Sequence, residues 1–222
     1  KHFPGHGDTD VDSHKALPTL PFDRARLDAI ELYPFKEAIN QDVWMVMVGH
    51  LNVPALDPTG MPSSLSYPIV TKLLKEEMGF KGIVVTDALG MKGVSTYMPA
   101  EMVPLASFKA GSDMLLMPAK DWHRSIRNVI KAVKSGEISR ERLDESVRKV
   151  LKMKQQLGIL EEKPFIDPKN IYEDTETKEV VDFIQQVCDA SMTMVKRPSV
   201  ALKGGGSLAE LIKLGRAKEV VL

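Results

Sequence analysis

The chain has 222 residues, 43% of them hydrophobic, and its 30 basic and 30 acidic side chains balance to zero net charge. That is enough apolar material for one large domain, or one domain plus a piece of another. The balance argues against nucleic acid or an anionic membrane as partner, since both select clustered Lys and Arg, and no apolar run is long enough to span a bilayer.

The opening stretch, Lys1 to His14, reads as a loop, because Pro4, Gly5 and Gly7 punctuate it. Residues 22–39 are amphipathic and predict a helix. Val43 to Val48 is a continuous apolar run, as expected of a strand covered on both faces. Ser66 can cap a helix with Pro68 in its first turn, Ile69, Leu73 and Leu74 on one face, and Gly79 as its stop. Gly82 to Thr86 and Asp113 to Met117 are two further strands. Residues 121–134 predict a helix ended by Gly136. Ser139 caps a longer one, with Leu143, Val147, Val150, Leu151 and Leu157 inward and Gly158 as the stop. Pro164, Pro168 and the charged run Glu173 to Glu179 read as a linker. A helix near 178–189 follows, then a strand at 191–195, a flexible break at Gly204 to Gly206, and a last strand near 219–222. The single cysteine, Cys188, permits no intrachain disulfide. It reads as a small buried hydrophobe and leaves the compartment open between cell envelope and cytoplasm.

Buried strands alternating with helices predict a parallel sheet in an α/β fold. His50 follows the first strand, Asp87 the second and Pro118 the third. If His2 ends an earlier strand, four consecutive strands present residues at their C-terminal ends, where (β/α)8 barrels keep active sites. A doubly wound sheet also places ligands there, but usually with a Gly-rich phosphate loop, which is not visible. The expected organisation is the C-terminal half of a (β/α)8 TIM-type barrel at 1–160, its upstream half absent. A linker and helix at 161–190 and the start of a second α/β sandwich domain at 191–222 follow.

Lys1 to His14 holds three His and three Asp. A metal loop is one alternative, since Asp8, Asp10 and Asp12 alternate as in calcium loops. An EF-hand counted from Asp8, however, needs Gly and Glu where Ser13 and Thr19 stand. Acid–base catalysis is another: Asp12 and His14 are two apart, so in an extended loop they point the same way, and a carboxylate would fix the imidazole tautomer. A solvated surface loop is the third. Asp87 closes the run Gly82-Ile83-Val84-Val85-Thr86. A carboxylate at a buried strand end is costly unless solvated, paired or functional, and it suits a nucleophile, a general base or a loop cap.

The run Lys1 to His14, the strand ending in Asp87, Leu56-Asp57-Pro58 with Pro62-Ser63-Ser64-Leu65-Ser66, and Lys109-Ala110-Gly111-Ser112-Asp113 through Pro118 resemble glycoside hydrolase family 3, in its β-N-acetylglucosaminidase branch. The resemblance runs from Lys1 to about Val195. It implies that Asp87 is the nucleophile of a retaining mechanism. It also implies that His14, held by Asp12, replaces the second carboxylate of the usual retaining pair as acid/base. A His suits that task because imidazole titrates near neutrality. Lys1 and His2 match a Lys-His pair that binds sugar hydroxyls. His50 is a further sugar-binding candidate or a brace behind the site, His6 braces the loop, and Met91 lines the sugar pocket or packs. No metal and no cofactor are implied, and the partner is a carbohydrate containing N-acetylglucosamine.

The resemblance therefore implies a retaining exo-β-N-acetylglucosaminidase acting on peptidoglycan fragments of the cell wall. A β-glucosidase or β-xylosidase is the alternative within the family, weakened by Ala88 where that branch has Trp. A phosphorylase is another, because a neutral base does not repel an incoming phosphate. Half a barrel would expose large apolar faces, so the isolated 222 residues are expected to be an inactive sugar-binding fragment or to aggregate. The missing half is expected to supply an Asp and an Arg that grip the sugar.

Overall fold

A computed structural model describes residues 1–117, 121–160 and 167–192. The chain divides into two compact units, Lys1–Pro164 and Phe165–Leu222.

In the first unit, strand β1 (Met45–Val48) pairs in parallel with β2 (Ile83–Thr86), Met45 opposite Ile83 and Val48 opposite Thr86. Phe3 bridges Val48 and Met114 bridges Val85, both parallel. Four segments therefore lie side by side in chain order, the α/β arrangement expected from the alternation. Parallel neighbours need crossovers, and the helices Pro68–Glu77 and Val103–Ala110 fall in the two crossovers that flank β2. The core gathers Phe3, Leu27, Val48, Ile69, Leu74 and Val84. Each such buried side chain stabilises by roughly 1.5–3 kcal/mol.

Several elements depart from the expected bounds for local reasons. The helix expected at 22–39 breaks into Arg24–Arg26, a widened turn at Leu27–Glu31, and Tyr33–Asn40. Pro34 is the cause, because it removes a donor and crowds the preceding turn. The helix Pro68–Glu77 begins as expected: the Ser66 hydroxyl accepts from the Ile69 N–H at 3.2 Å. The third strand shrinks to the Met114 bridge, and Met117 turns at φ 42°. Trp122–Lys134 forms as expected, capped by Asp121, and Arg140–Gln156 forms with its expected cap, Ser139. Gly79, Gly136 and Gly158 end their helices at positive φ. Val147, Leu151 and Leu157, expected inward, are about half exposed, since no described element covers that face of Arg140–Gln156.

What fastens Arg140–Gln156 to the sheet is polar. The Asp113 carboxylate, fully buried, accepts from the Val84 N–H at 3.1 Å, from the Ser146 hydroxyl at 2.6 Å and from Arg142 Nη1 at 3.0 Å. Lys149 lies 3.4 Å and Lys75 3.5 Å away. Burial pushes the carboxyl up, but Lys75, Ser146 and the Val84 amide outweigh it and hold Asp113 below the usual carboxylate range. Burial in turn lowers the Lys75 ammonium to about 8, against the pull of Asp113.

In the second unit, a turn at Pro168–Asn170 leads into short Ile171–Thr175 and then Lys178–Ser191, capped by Thr177. Part of the expected linker is thus helical. Cys188 is exposed, contrary to expectation: Val180, Phe183 and Ile184 of the same helix are also exposed, so no apolar surround encloses the thiol among the described residues. Ser191 closes the helix instead of opening a strand. The rest of that strand, the Gly204 to Gly206 break, the strand near 219–222, and Pro118 lie outside the described residues.

Candidate active site

Asp87 stands one residue beyond β2. Its N–H donates to the Val48 carbonyl at 2.8 Å, which carries the ladder past the strand. Oδ1 accepts the Ala88 N–H at 2.7 Å, and Oδ2 lies 3.9 Å from His2 Nε2. One oxygen is thus anchored and the other faces the neighbouring segment. The side chain is 17% exposed. His2 is delivered there by Phe3, which is fully buried and donates its N–H to Met47 at 2.8 Å. Desolvation lowers the His2 pKa below its ordinary 6.5 despite Asp87, with Lys1 adding to the effect. His2 is therefore a neutral hydrogen-bonding group at neutral pH rather than a full countercharge. Lys1 is exposed, and with His2 and His6 it lines a cavity of about 600 Å³.

The loop Asp12–Ala16 carries the second constellation. Asp12 Oδ1 accepts the His14 N–H at 2.9 Å and lies 2.8 Å from His14 Nδ1. An ionised carboxylate only accepts, so Nδ1 carries hydrogen and Nε2 is the nitrogen that can exchange a proton. The two bonds from His14 hold the Asp12 carboxyl below its usual range. Both side chains are open to solvent, 47% exposed for Asp12 and 74% for His14. Ser13 between them is buried, its hydroxyl 3.1 Å from His6 Nε2. The Gly93 N–H donates to the Ser13 carbonyl at 3.0 Å.

His50 is placed beneath the site. It is fully buried, Nδ1 lies 2.7 Å from the Ser64 hydroxyl and Nε2 3.0 Å from the Ala88 carbonyl. A carbonyl cannot donate, so Nε2 bears the hydrogen and Nδ1 accepts from Ser64. With both nitrogens engaged by protein, the geometry favours the brace over the sugar ligand. Burial lowers its pKa and keeps the ring neutral. Met91 is half-buried, and its N–H donates to the same Ala88 carbonyl at 3.0 Å.

The alternating aspartates do not share a partner. Asp8 pairs with Arg26 at 2.7 Å and Asp12 with His14. Arg26 also reaches Glu31 at 3.0 Å, beneath Gly5. Asp57 accepts from Ser66 and Thr59, which ties its own loop. Sequence reasoning passed over Ser13, Ser64, the Ala88 carbonyl and Gly93. All four act through nonlocal hydrogen bonds that no spacing encodes.

Residues 1–153 match the family model "Glycosyl hydrolase family 3 N terminal domain". A beta-hexosaminidase A of Pseudoalteromonas piscicida is 35% identical over 71% of this chain and 29% of its own length. The structure of a family 3 beta-N-acetylglucosaminidase from Paenibacillus sp. str. FPU-7 matches at TM-score 0.79 and 36% identity, over 90% of this chain and 38% of that one. A beta-glucoside phosphorylase structure matches at TM-score 0.78 and 26% identity, over 91% and 38%. The chain thus spans about a third of the length of these relatives. With its first 153 residues matched by the family model, the chain belongs to glycoside hydrolase family 3.

Proposed function

We propose that the protein containing this chain is a retaining exo-β-N-acetylglucosaminidase acting on peptidoglycan fragments, and that residues 1–160 are the C-terminal half of its (β/α)8 barrel. The observation that carries the reading is the contact between Asp12 and His14 at 2.8 Å. It leaves Nε2 as the exchangeable position on a solvent-facing ring. The beta-hexosaminidase relatives favour the N-acetylglucosaminide over a glucoside.

In the first step Asp87 Oδ2 attacks the anomeric carbon. The bond to the leaving oxygen breaks, and His14 Nε2–H gives that oxygen its proton. In the second step His14 Nε2 takes a proton from water, the water oxygen bonds the anomeric carbon, and Asp87 leaves. Asp12 stabilises the imidazolium form of His14 before the first transfer and after the second. His2, neutral beside Asp87, and Lys1 bind sugar hydroxyls and position the ring. His50 supports the backbone that follows Asp87, and Met91 lines the pocket edge.

Incubating the complete protein with a 5-fluoro glycoside of N-acetylglucosamine tests this. The label is expected on the peptide carrying Asp87, and label on any other residue refutes the assignment. Phosphorolysis is the second reading, favoured by the likeness to the beta-glucoside phosphorylase. Accumulation of the sugar 1-phosphate when inorganic phosphate is added would establish it.

A further inference from the structure

We infer that Gly93 is a positioning residue, docking the loop that carries Asp12 and His14 onto the segment that follows Asp87. The inference rests on the proposed roles of those three residues. Between two exposed dyad side chains the loop has one buried point, Ser13, 5% exposed. Its carbonyl receives the Gly93 N–H at 3.0 Å. The loop is closed on itself around that point, because the Asp12 carbonyl accepts from both Lys15 and Ala16, at 2.8 and 3.1 Å.

Glycine at 93 is favoured by space, not by backbone conformation. An added Cβ would lie 3.0 Å from the Ser13 carbonyl oxygen, 3.2 Å from that of Ala16 and 3.3 Å from the His50 Cβ. The first two are the backbone of the dyad loop, and the third is the buried ring that holds Ala88. From Gly93 the chain runs back through Met91, whose N–H donates to Ala88, and the Ala88 N–H donates to Asp87 Oδ1. A methyl group at 93 has His50 behind it and the loop in front of it, and we infer that the few tenths of an ångström it needs are taken from the exposed loop. His14 would move away from the leaving oxygen while Asp87 keeps its own anchors.

The test uses the complete protein and aryl N-acetyl-β-glucosaminides of different leaving-group acidity. Gly93→Ala is expected to lower kcat/KM about 10- to 100-fold on a 4-methoxyphenyl glycoside, which needs the proton, within the range general acid catalysis supplies. On a 2,4-dinitrophenyl glycoside, which does not, the loss is expected to stay under about threefold. A merely structural role would lower both alike, and that result overturns the inference. His14→Ala runs in parallel. If it shows the split and Gly93→Ala does not, only the inference falls; if His14→Ala itself shows no split, the acid/base reading falls and takes the inference with it. Should Gly93→Ala fail to fold, Ser13→Gly loosens the same turn without adding a methyl group. The same split, smaller, is then expected, and equal loss on both substrates overturns the inference.

Discussion

A single oxygen of Asp12, Oδ1, accepts both the backbone N–H and the ring Nδ1–H of His14, at 2.9 and 2.8 Å. The carboxylate therefore fixes the ring's tautomer and its rotation together. Asp12→Asn keeps an acceptor of similar shape but removes the charge that stabilises the imidazolium. We expect kcat/KM on poor leaving groups to fall on the order of 10²-fold, with His14→Ala falling further. Steady-state kinetics on one aryl series checks the order, and an Asp12→Asn enzyme as active as the parent would remove the dyad from the mechanism.

Asp87 has one oxygen held by the Ala88 N–H and the other facing His2. Asp87→Asn preserves the first contact and removes the proposed nucleophile. Turnover is expected to drop on the order of 10⁴-fold or more, the scale of losing a covalent nucleophile. Intact mass after incubation with the 5-fluoro sugar should show no adduct.

The buried His50 predicts a pH dependence of stability. Its folded pKa lies below the ordinary 6.5, so as pH falls below that value the unfolded chain binds a proton that the folded one refuses. Stability is then expected to decline by up to about 1.4 kcal/mol per pH unit until the folded pKa is reached. Thermal melts of the complete protein between pH 7.5 and 5 should show a shallower decline for His50→Gln, at a lower absolute Tm.

Asp113 faces Arg142, Lys149 and Lys75 with no exposure of its own side chain. Asp113→Asn removes the buried charge that Lys75, Arg142 and Lys149 share, although Arg142 and Lys149 keep Glu145, and is expected to cost about 3–5 kcal/mol. Lys75→Met should cost much less, because Asp113 keeps Arg142, Ser146 and the Val84 amide. Urea denaturation of the complete protein ranks the two, and an equal cost would mean that Asp113 does not anchor the network.

Strand and helix order was legible because burial leaves a local record. The apolar runs at 43–48 and 82–86 became β1 and β2, and Asp121 and Ser139 capped the helices they precede. The long helix at 22–39 was misread because one proline inside a periodic pattern outweighs the pattern. The inward face assigned to Val147 and Leu151 was misread because periodicity marks an apolar stripe without naming what covers it.

The Asp12–His14 contact is local, since the sequence sets a single residue between the two, but it forms in a turn, where the Asp12 carbonyl accepts from Lys15 and Ala16, and not in the extended loop expected. Asp87 at a strand end was likewise a local consequence of five apolar or small residues before it. His50 was different. Its position after β1 suited a ligand or a brace, and only the tertiary structure brought Ser64 and Ala88 to its two nitrogens. Gly93 carried no signal at all. Its importance arises where two loops distant in sequence approach to within a methyl group's width, and a separation of that kind is set by packing, which no local pattern records.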